Sequence, residues 1–403
     1  RGLQALGVFS SIEMIVTEEP EEDPEACTVV LELQEKNWYK AHAATYIQGG
    51  ETSMELGCGL HNPTGHAERI MLAAEYGTEL SSHFSLAYNQ PRPLGYPLMV
   101  EARLQQYMRN HMSASSLTEK LWGGAVVLRS MDGQHSLQYE LGLRRLVAAC
   151  SRTEERPSRA VQDQAGEHLK AILSYKWLLD RRNNPVTPSQ GWALRANTEL
   201  AGLGPDKTLR FAKQQLDMQV LYPLSQALTL SLSASAGLML PWGSPEPLAR
   251  STCTADRFFL GGSSTLRGFQ FKGVGPTDER RQSGTSTSKG GVRRDALGGD
   301  LYSSVLAEIT CHLPHKVLRS LDIQAHVFIN GGNCIDLAGA RYRSPSDSWQ
   351  QFSSTWRWSA GAGLVFPTAF GRLEASYVHV LSSQENDRVK HGVQLGFATS
   401  AFT

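Results

Sequence analysis

A single arginine interrupts the glycine-rich segment LGGSSTLRGFQF at residues 260–271. Arg267 stands between Leu266 and the pair Gly268 and Phe269. A guanidinium offers several N–H donors and binds carboxylates through charge-assisted hydrogen bonds. Because so many glycines disfavour a strand, the segment is predicted to be a loop. The chemistry it offers is charge-assisted hydrogen bonding to acidic or polar groups.

The other residue types that could do chemistry do not form a recognisable site. The chain has no CxxC pair and no Cys/His spacing that suits zinc, although it contains Cys27, Cys58, Cys150, Cys253, Cys311 and Cys334. A barrel lipase would need a serine–histidine pair with an orienting acid or amide, and no GxSxG turn occurs. The sequence therefore predicts no catalytic residue, no metal and no cofactor, and a barrel enzyme stays as one alternative.

The composition excludes some classes of protein. The 403 residues include 39 basic and 39 acidic side chains, so the formal net charge is zero. This balance argues against a nucleic-acid partner. No apolar run reaches about 18 residues, the length of a membrane helix, and no signal peptide is recognisable. A transmembrane β-barrel stays open, because such a barrel spreads its apolar residues by alternation.

Alternation is the strongest pattern in the chain. From Leu228 to Leu240 the even positions are leucine or alanine, whereas the odd positions are threonine, serine, glycine or methionine. A sustained period of two indicates half-buried strands. Sixteen such segments begin near Ala41, Ser53, Glu68, Ser82, Leu98, Lys120, Ser136, Leu169, Trp192, Phe211, Leu228, Leu301, Ile323, Trp356, Arg372 and Val389.

These strands fit a membrane barrel better than a soluble sandwich. At about 10 residues or more they exceed the usual 5–6 of soluble sheets and match a tilted crossing of the bilayer. Their polar faces carry charges such as Glu140, Lys170 and Arg357, which would not suit packing against a second sheet. We therefore expect an all-β, 16-stranded antiparallel transmembrane β-barrel over residues 39–403.

Residues 1–38 have a different pattern. A short stretch that could end a helix is followed by two segments with strand character, Ile12 to Thr17 and Thr28 to Gln34. This arrangement predicts the C-terminal part of a small α+β domain that is truncated at its start.

The loop motif resembles that of one family of barrels. LRGF (266–269) resembles the conserved loop of the barrel-assembly and polypeptide-transporting outer-membrane barrels, and ALGGD (296–300) is similar to the segment that precedes the next strand in that family. The resemblance implies that the loop folds back into the lumen, where its arginine meets polar residues of the inner wall.

Two predicted strands supply candidates for that inner wall. Alternation places Glu308 and Asn330 on polar, lumen-facing sides of neighbouring strands. The family pattern Phe-x-Asp-x-Gly is matched by Phe328 and Gly332, but Asn330 stands where the family has aspartate. The resemblance therefore makes Glu308 the expected charged partner of Arg267.

The end of the chain makes the resemblance specific to one family of barrels. KHGVQLGF (390–397) is similar to the sorting signal in the last strand of mitochondrial outer-membrane barrels, and its matching residues are Lys390, Gly392, Leu395, Gly396 and Phe397. The whole strand order is similar to that of the sorting and assembly machinery component 50 family. Within that family, residues 1–38 correspond to the end of a polypeptide-transport-associated (POTRA) domain.

The resemblance implies a function without covalent chemistry. A member of this family is expected to insert β-barrel precursors into the mitochondrial outer membrane through a lateral gate between the first and last strands, with its N-terminal domain in the intermembrane space. The implied partners are membrane lipid, the precursors and accessory subunits. A bacterial or plastid assembly or translocation barrel, and a passive porin-type pore, remain alternatives.

Overall fold

A computed structural model describes residues 6–18, 27–48, 51–150, 155–204, 209–243, 252–282, 293–313, 321–337, 350, 352–368 and 371–398. Most of these residues are in β-strands. Among the helices of the described residues, none is long and apolar enough to cross a membrane.

The strands follow one another along the chain with few helical interruptions. They are β1 (Phe9–Glu18), β2 (Cys27–Glu35), β3 (Tyr39–Gln48), β4 (Glu51–His61), β5 (Arg69–Gly77), β6 (Ser82–Pro91), β7 (Leu98–Asn110), β8 (Leu117–Ser130), β9 (His135–Ala148), β10 (Glu155–Arg156), β11 (Gly166–Asp180), β12 (Gly191–Ala201), β13 (Phe211–Pro223), β14 (Leu228–Pro241), β15 (Thr277–Glu279), β16 (Arg281–Gln282), β17 (Arg294–Ala296), β18 (Leu301–His312), β19 (Gln324–Ile335), β20 (Arg357–Thr368), β21 (Gly371–Ser382) and β22 (Gly392–Ala398). Two short helices, α1 (Met112–Ser115) and α2 (Arg159–Gln162), and a 3-10 turn (Pro93–Gly95) lie between strands.

Sixteen strands form one antiparallel sheet, which curves into a barrel. The sheet runs in chain order from β3 to β9, then from β11 to β14 and from β18 to β22. The predicted count of sixteen is confirmed, and most predicted starts lie within three residues of the observed ones. β1 and β2 pair separately as an antiparallel hairpin.

The two faces of the barrel wall differ as the alternation predicts. In β14 the even positions are exposed or half-buried, whereas the odd positions are buried or half-buried. Leu232 is 48% exposed, while its neighbour Ser231 is 6% exposed. The apolar face therefore points outward to lipid, and the small polar face points into the lumen.

The connection between β14 and β18 is folded into the lumen. From Thr252 onward its described residues make isolated bridges and two small ladders, in which β15 pairs with β17 and β16 pairs with β10. Its apolar side chains pack against lumen-facing residues of the wall. The resulting cluster contains Ile172, Ala201, Phe211, Met239, Phe258, Leu260, Leu266, Phe269, Val274, Tyr302, Cys334 and Val380.

The ends of the sheet lie at β3 and β22. Each of the other barrel strands has a hydrogen-bonded neighbour on both sides, but the described residues contain no ladder between β3 and β22. β22 as described is also the shortest barrel strand, with 7 residues. The junction of the first and last barrel strands is called here the seam, and it is the part of the described wall that has no ladder.

Candidate functional site in the barrel lumen

The LRGF motif lies at the turn of the lumenal loop, against the wall. Leu266 and Phe269 are almost fully buried in the apolar cluster. Gly268 has a φ of +93°, and a Cβ there would lie 2.8 Å from Val380 Cγ2 and 3.0 Å from Ser359 Cβ. Only glycine fits this backbone conformation and this close approach. The motif therefore combines two apolar anchors with a glycine that brings the backbone onto the wall.

Arg267 is buried between an acidic and an aromatic side chain. Its Nη2 donates to Oε2 of Glu374 on β21 at 2.6 Å. Its guanidinium carbon lies 4.4 Å from the centre of the Phe328 ring. A cation is favoured over a ring face and beside a carboxylate, most strongly where water is excluded. The charge of Arg267 is thus held by two strands of the wall at once.

Glu308, the expected partner of Arg267, does not form that ion pair. Its Oε1 instead lies 3.2 Å from Nη2 of Arg372 and 2.5 Å from Nδ1 of His326. Arg372 also donates to Glu374 at 2.6 Å, so Glu308 joins the site through Arg372. The prediction of a direct contact between Arg267 and Glu308 is wrong, because β21 presents a carboxylate closer to the guanidinium than β18 does.

Small wall residues make room for this network. His326 Nε2 lies 2.9 Å from Ser376 Oγ, which fixes the ring between β18 and β21. A Cβ on Gly361 would lie 2.7 Å from the Phe328 ring, and a Cβ on Gly363 would lie 2.7 Å from His326. The glycines of β20 therefore accommodate the large lumenal side chains of β19.

Asn330 contacts the motif backbone, although it stands where the family has aspartate. The orientation of its amide that satisfies both ends places the oxygen 2.7 Å from the backbone nitrogen of Arg267 and the nitrogen 2.6 Å from Ser359 Oγ. Ser359 Oγ in turn donates to the carbonyl of Arg267 at 2.5 Å. Gly332, the last residue of that pattern, lies where a Cβ would meet Leu260 at 2.9 Å. A neutral amide is sufficient here, because it binds backbone rather than the guanidinium.

The motif also pairs with the segment that leads into the last strand. Phe269 and Val389 form an antiparallel bridge, and the backbone nitrogen of Lys390 donates to the carbonyl of Gly268 at 2.8 Å. The backbone nitrogen of Gly268 donates to the side chain of Gln394 at 3.2 Å. The last strand begins at Gly392, three residues after its predicted start at Val389. The residues just before Gly392 pair with the loop instead.

The remaining residues of the predicted terminal signal divide between the two faces. Gly396 faces the lumen, where a Cβ would lie 3.2 Å from Ser263 of the loop. Leu395 is 69% exposed on the outer face, and Phe397 is half-buried. Gly392 has a φ of +96°, and a Cβ there would meet no described atom within 4 Å. Gly396 thus lets the loop approach, whereas Gly392 allows the turn into the strand.

Sequence reasoning missed several residues of the site, chiefly Glu374, Arg372, His326, Ser376 and Gln394. Alternation gave a signal for the face of all five, and it places His326 beside Asn330 and Gln394 between Gly392 and Gly396. Arg372, Glu374 and Ser376 occupy alternate positions of β21, opposite Leu373, Ala375 and Tyr377, so alternation alone places them in the lumen. Which lumenal carboxylate meets Arg267 depends on the path of the loop, which alternation does not specify.

Comparison with known proteins assigns the chain to a family. The model of the Omp85 superfamily domain matches residues 62–400. A sorting and assembly machinery component 50 homolog B from Xenopus laevis is 30% identical, with 98% of this chain and 80% of the relative covered. The chain belongs to the sorting and assembly machinery component 50 family of the Omp85 superfamily. The homolog from Homo sapiens is 28% identical over the same shares of both chains.

A solved structure supports the fold of this family member. The crystal structure of BamA from Haemophilus ducreyi lacking POTRA domains 1-3 superposes with a TM-score of 0.76, covering 98% of this chain and 76% of that one. At 16% identity the likeness shows a shared barrel fold. Family and fold together support an outer-membrane β-barrel assembly protein.

Proposed function

We propose that this protein inserts β-barrel precursors into the mitochondrial outer membrane through the seam between β3 and β22. The single observation that carries the proposal is the absence of a ladder between these two strands among the described residues. A lipid-exposed strand with unpaired N–H and C=O groups is costly, because hydrocarbon offers no hydrogen bonds. A weakly paired seam supplies such an edge to an incoming strand.

The chemistry of insertion is backbone pairing. A precursor strand that adds to the free edge of β3 or β22 satisfies its own backbone groups at every step, which is β-augmentation inside a membrane. Alternation of the precursor then places its apolar face toward lipid. No bond is made or broken, so no residue of the chain is assigned a catalytic role.

The lumenal loop has a supporting role in this proposal. It binds the backbone just before β22 through Gly268 and Phe269, and it binds β21 through Arg267. These contacts hold the last two strands from the inside while their outer edge is free. Arg267, Glu374 and Asn330 would then keep the wall in register as the seam opens.

The N-terminal residues 1–38 are proposed to be the end of a POTRA domain that faces the intermembrane space. The residues just before their hairpin contact the barrel, where Nη2 of Arg69, at the start of β5, donates to the carbonyl of Gly7 at 3.0 Å. Accessory subunits of a sorting and assembly complex would be its partners, as the names of the relatives suggest.

The proposal is tested by reconstitution. The purified chain is placed in liposomes, and a urea-denatured β-barrel precursor is added; folding is followed by its resistance to protease and its heat-modifiable migration on gels. We expect insertion faster than into liposomes that hold an equal amount of a diffusion porin. Equal rates in the two preparations would contradict an insertase and favour the passive pore. Cell fractionation with protease protection tests the location and the orientation of the N-terminal domain.

A further inference from the structure

A second charged contact ties the lumenal loop to the wall, far from the motif. Arg144 of β9 donates Nη1 to Oδ1 of Asp256 at 2.7 Å and Nη2 to Oδ2 at 2.9 Å. Arg144 is 1% exposed. Such a two-bond pairing fixes both the position and the orientation of the carboxylate. Asp256 belongs to the loop, so here the loop supplies the acid and the wall supplies the guanidinium, the reverse of the contact at Arg267.

Neighbouring groups strengthen this contact. Lys213 of β13 donates Nζ to the carbonyl of Asp256 at 2.8 Å and lies 4.6 Å from the centre of the Phe258 ring. Glu119 of β8 lies 3.6 Å from Arg144. Although burial opposes ionisation, the Arg144 guanidinium and the other nearby cations lower the pKa of Asp256. Two strands therefore contact Asp256 directly, and a third supports Arg144.

The two charged contacts lie on opposite walls. In the order of the sheet, β9 is the seventh barrel strand and β21 is the fifteenth, so they stand eight positions apart in a ring of sixteen. Asp256 contacts β9, and Arg267, only eleven residues later in the chain, contacts β21. The loop thus crosses the lumen from one side to the other.

The two sides of the lumen that the loop separates differ in their lining. Each strand from the eighth to the thirteenth contributes one residue to the apolar cluster under the loop: Ile172, Ala201, Phe211, Met239, Tyr302 and Cys334. On the side that contains the seam, the lumen faces of β3 and β4 carry polar side chains that are partly exposed. The side chains of His42 and Glu55 there are 35% and 33% exposed.

We propose that Arg144 and Asp256 are positioning residues that hold the loop across the lumen as a strut, attached to β9 at Asp256 and to β21 at Arg267. The strut closes the side of the lumen that is lined by the eighth to thirteenth strands, and it leaves the side beside the seam open. The strut follows from the contacts alone. Its effect on precursor insertion rests on the proposed function.

The test uses two native thiols, Cys334 in the apolar cluster under the strut and Cys253 in the loop, three residues before Asp256. Cys334 and Cys253 are buried, and burial raises the pKa of the Cys253 thiol to about 11, so both react slowly with iodoacetamide. Asp256→Asn removes the charge but keeps the shape of the side chain. Asp256→Asn leaves Glu119 as the acidic neighbour of Arg144 and removes the ion pair between the loop and the wall. We therefore expect alkylation of both thiols, followed by mass spectrometry, to be at least about tenfold faster.

Matched variants separate the ion pair from packing. Asp256→Glu keeps the charge and should stay within about twofold of the native rate, since Arg144 can still bind it. Arg144→Gln should reproduce Asp256→Asn. Arg145→Gln alters the neighbouring arginine, which lies on the outer face beside Glu167, and should change nothing. An unchanged rate in Asp256→Asn, or equal rates in Asp256→Asn and Asp256→Glu, would overturn the strut.

The insertion assay is run on the same preparations. With the strut and the proposed function both correct, Asp256→Asn slows precursor insertion while the melting temperature of the barrel changes little. If the native chain inserts no precursor but the thiols respond as expected, the proposed function fails and the strut stands. If insertion is native-like in Asp256→Asn although its thiols are exposed, the assignment of Arg144 and Asp256 as positioning residues for insertion is wrong.

Discussion

At the scale of single residues, Arg267 contacts the wall through both its side chain and its backbone. Arg267→Ala leaves Glu374 buried with Arg372 as its remaining charged contact. Removing one partner of a buried pair costs about 3–5 kcal/mol. We expect the barrel to stay folded, because its ladders are untouched, and precursor insertion to slow. Glu374→Gln should give a similar defect.

A double-mutant cycle checks that these two residues act as a pair. Insertion rates of Arg267→Ala, Glu374→Gln and the combined variant are compared, and the combined defect should be smaller than the sum. Arg145→Ala is the control. Strictly additive defects would mean that the ion pair at 2.6 Å does not matter for the reaction.

Lys272, a few residues after the motif, leads to a pH prediction. Its Nζ lies 3.9 Å from the centre of the Phe259 ring. Burial lowers the pKa of Lys272 from an ordinary 10.5 to about 7, Glu119 opposes this shift and Arg109 adds to it. The ring faces favour the ammonium and partly offset burial. Between these pH values the folded protein binds fewer protons than the unfolded chain, so stability should rise with pH.

The variant Lys272→Met isolates this contribution. Melting temperatures in detergent are measured from pH 7 to pH 10 for the native chain and the variant. We expect the native curve to rise relative to that of the variant, and the variant to be the more stable near pH 7. Parallel curves would show that Lys272 keeps the same protonation in both states.

Residue roles could be predicted from the sequence only where alternation or a motif fixes them. Glu308 and Asn330 face the lumen as expected, because the period of two determines the face. The pairing of Arg267 with Glu374 could not be predicted, since it depends on a loop that crosses the lumen before it meets the wall. The contact between Arg144 and Asp256 could not be predicted for the same reason. It also depends on the path of the loop, and its two residues lie 112 positions apart.

At the scale of elements, β22 is the strand most suited to movement. It is short, and it pairs with β21 over seven positions, from Arg372 with Ala398 to Val378 with Gly392. A cross-link across the seam should therefore stop the proposed opening. Gln394 is a poor site for it, because its side chain binds Gly268. Val393 is 68% exposed on the outer face, so its replacement leaves the loop contacts intact.

We expect Val393→Cys, combined with Ala43→Cys or Thr45→Cys, to form a disulfide in at least one register. A disulfide needs Cα atoms within about 7 Å. Oxidation should block precursor insertion and reduction should restore it, while each single cysteine variant stays active under both conditions. Native insertion rates with an efficiently formed cross-link would exclude a lateral opening at the seam.

The positions of the strands are the part of the fold that the sequence predicts best. Strands such as Phe211–Pro223, Leu228–Pro241 and Leu301–His312 begin at the residue expected, because a change from turn residues to alternation marks the boundary. Val389 is too early as the start of the last strand. Alternation already begins at Val389, in the segment that pairs with the loop. The pattern therefore does not show whether the backbone pairs with the loop or with β21.

At the scale of the whole molecule, the barrel presents an apolar band to lipid. Cysteines placed singly along β14 should react with a lipid-soluble probe at even positions, such as Leu232 and Leu238, and hardly at Ser231 or Ser235. The measurement is made in liposomes after the native cysteines have been replaced. Equal labelling of the two sets would contradict the orientation of the wall.

The positions of the two loop contacts along the chain have a consequence for how this barrel itself folds. Asp256 meets a residue that lies earlier in the chain, whereas Arg267 meets one that lies 107 positions later. During synthesis from the N-terminus, Asp256 can therefore bind Arg144 before the last strands have been made. Arg267 cannot yet bind Glu374 at that stage. The two contacts close loops of similar length, 112 and 107 residues, so the order of synthesis decides which forms first. Docking of Arg267 is expected to be the late kinetic phase of folding, and a chain that stops before β21 would carry its loop half-attached.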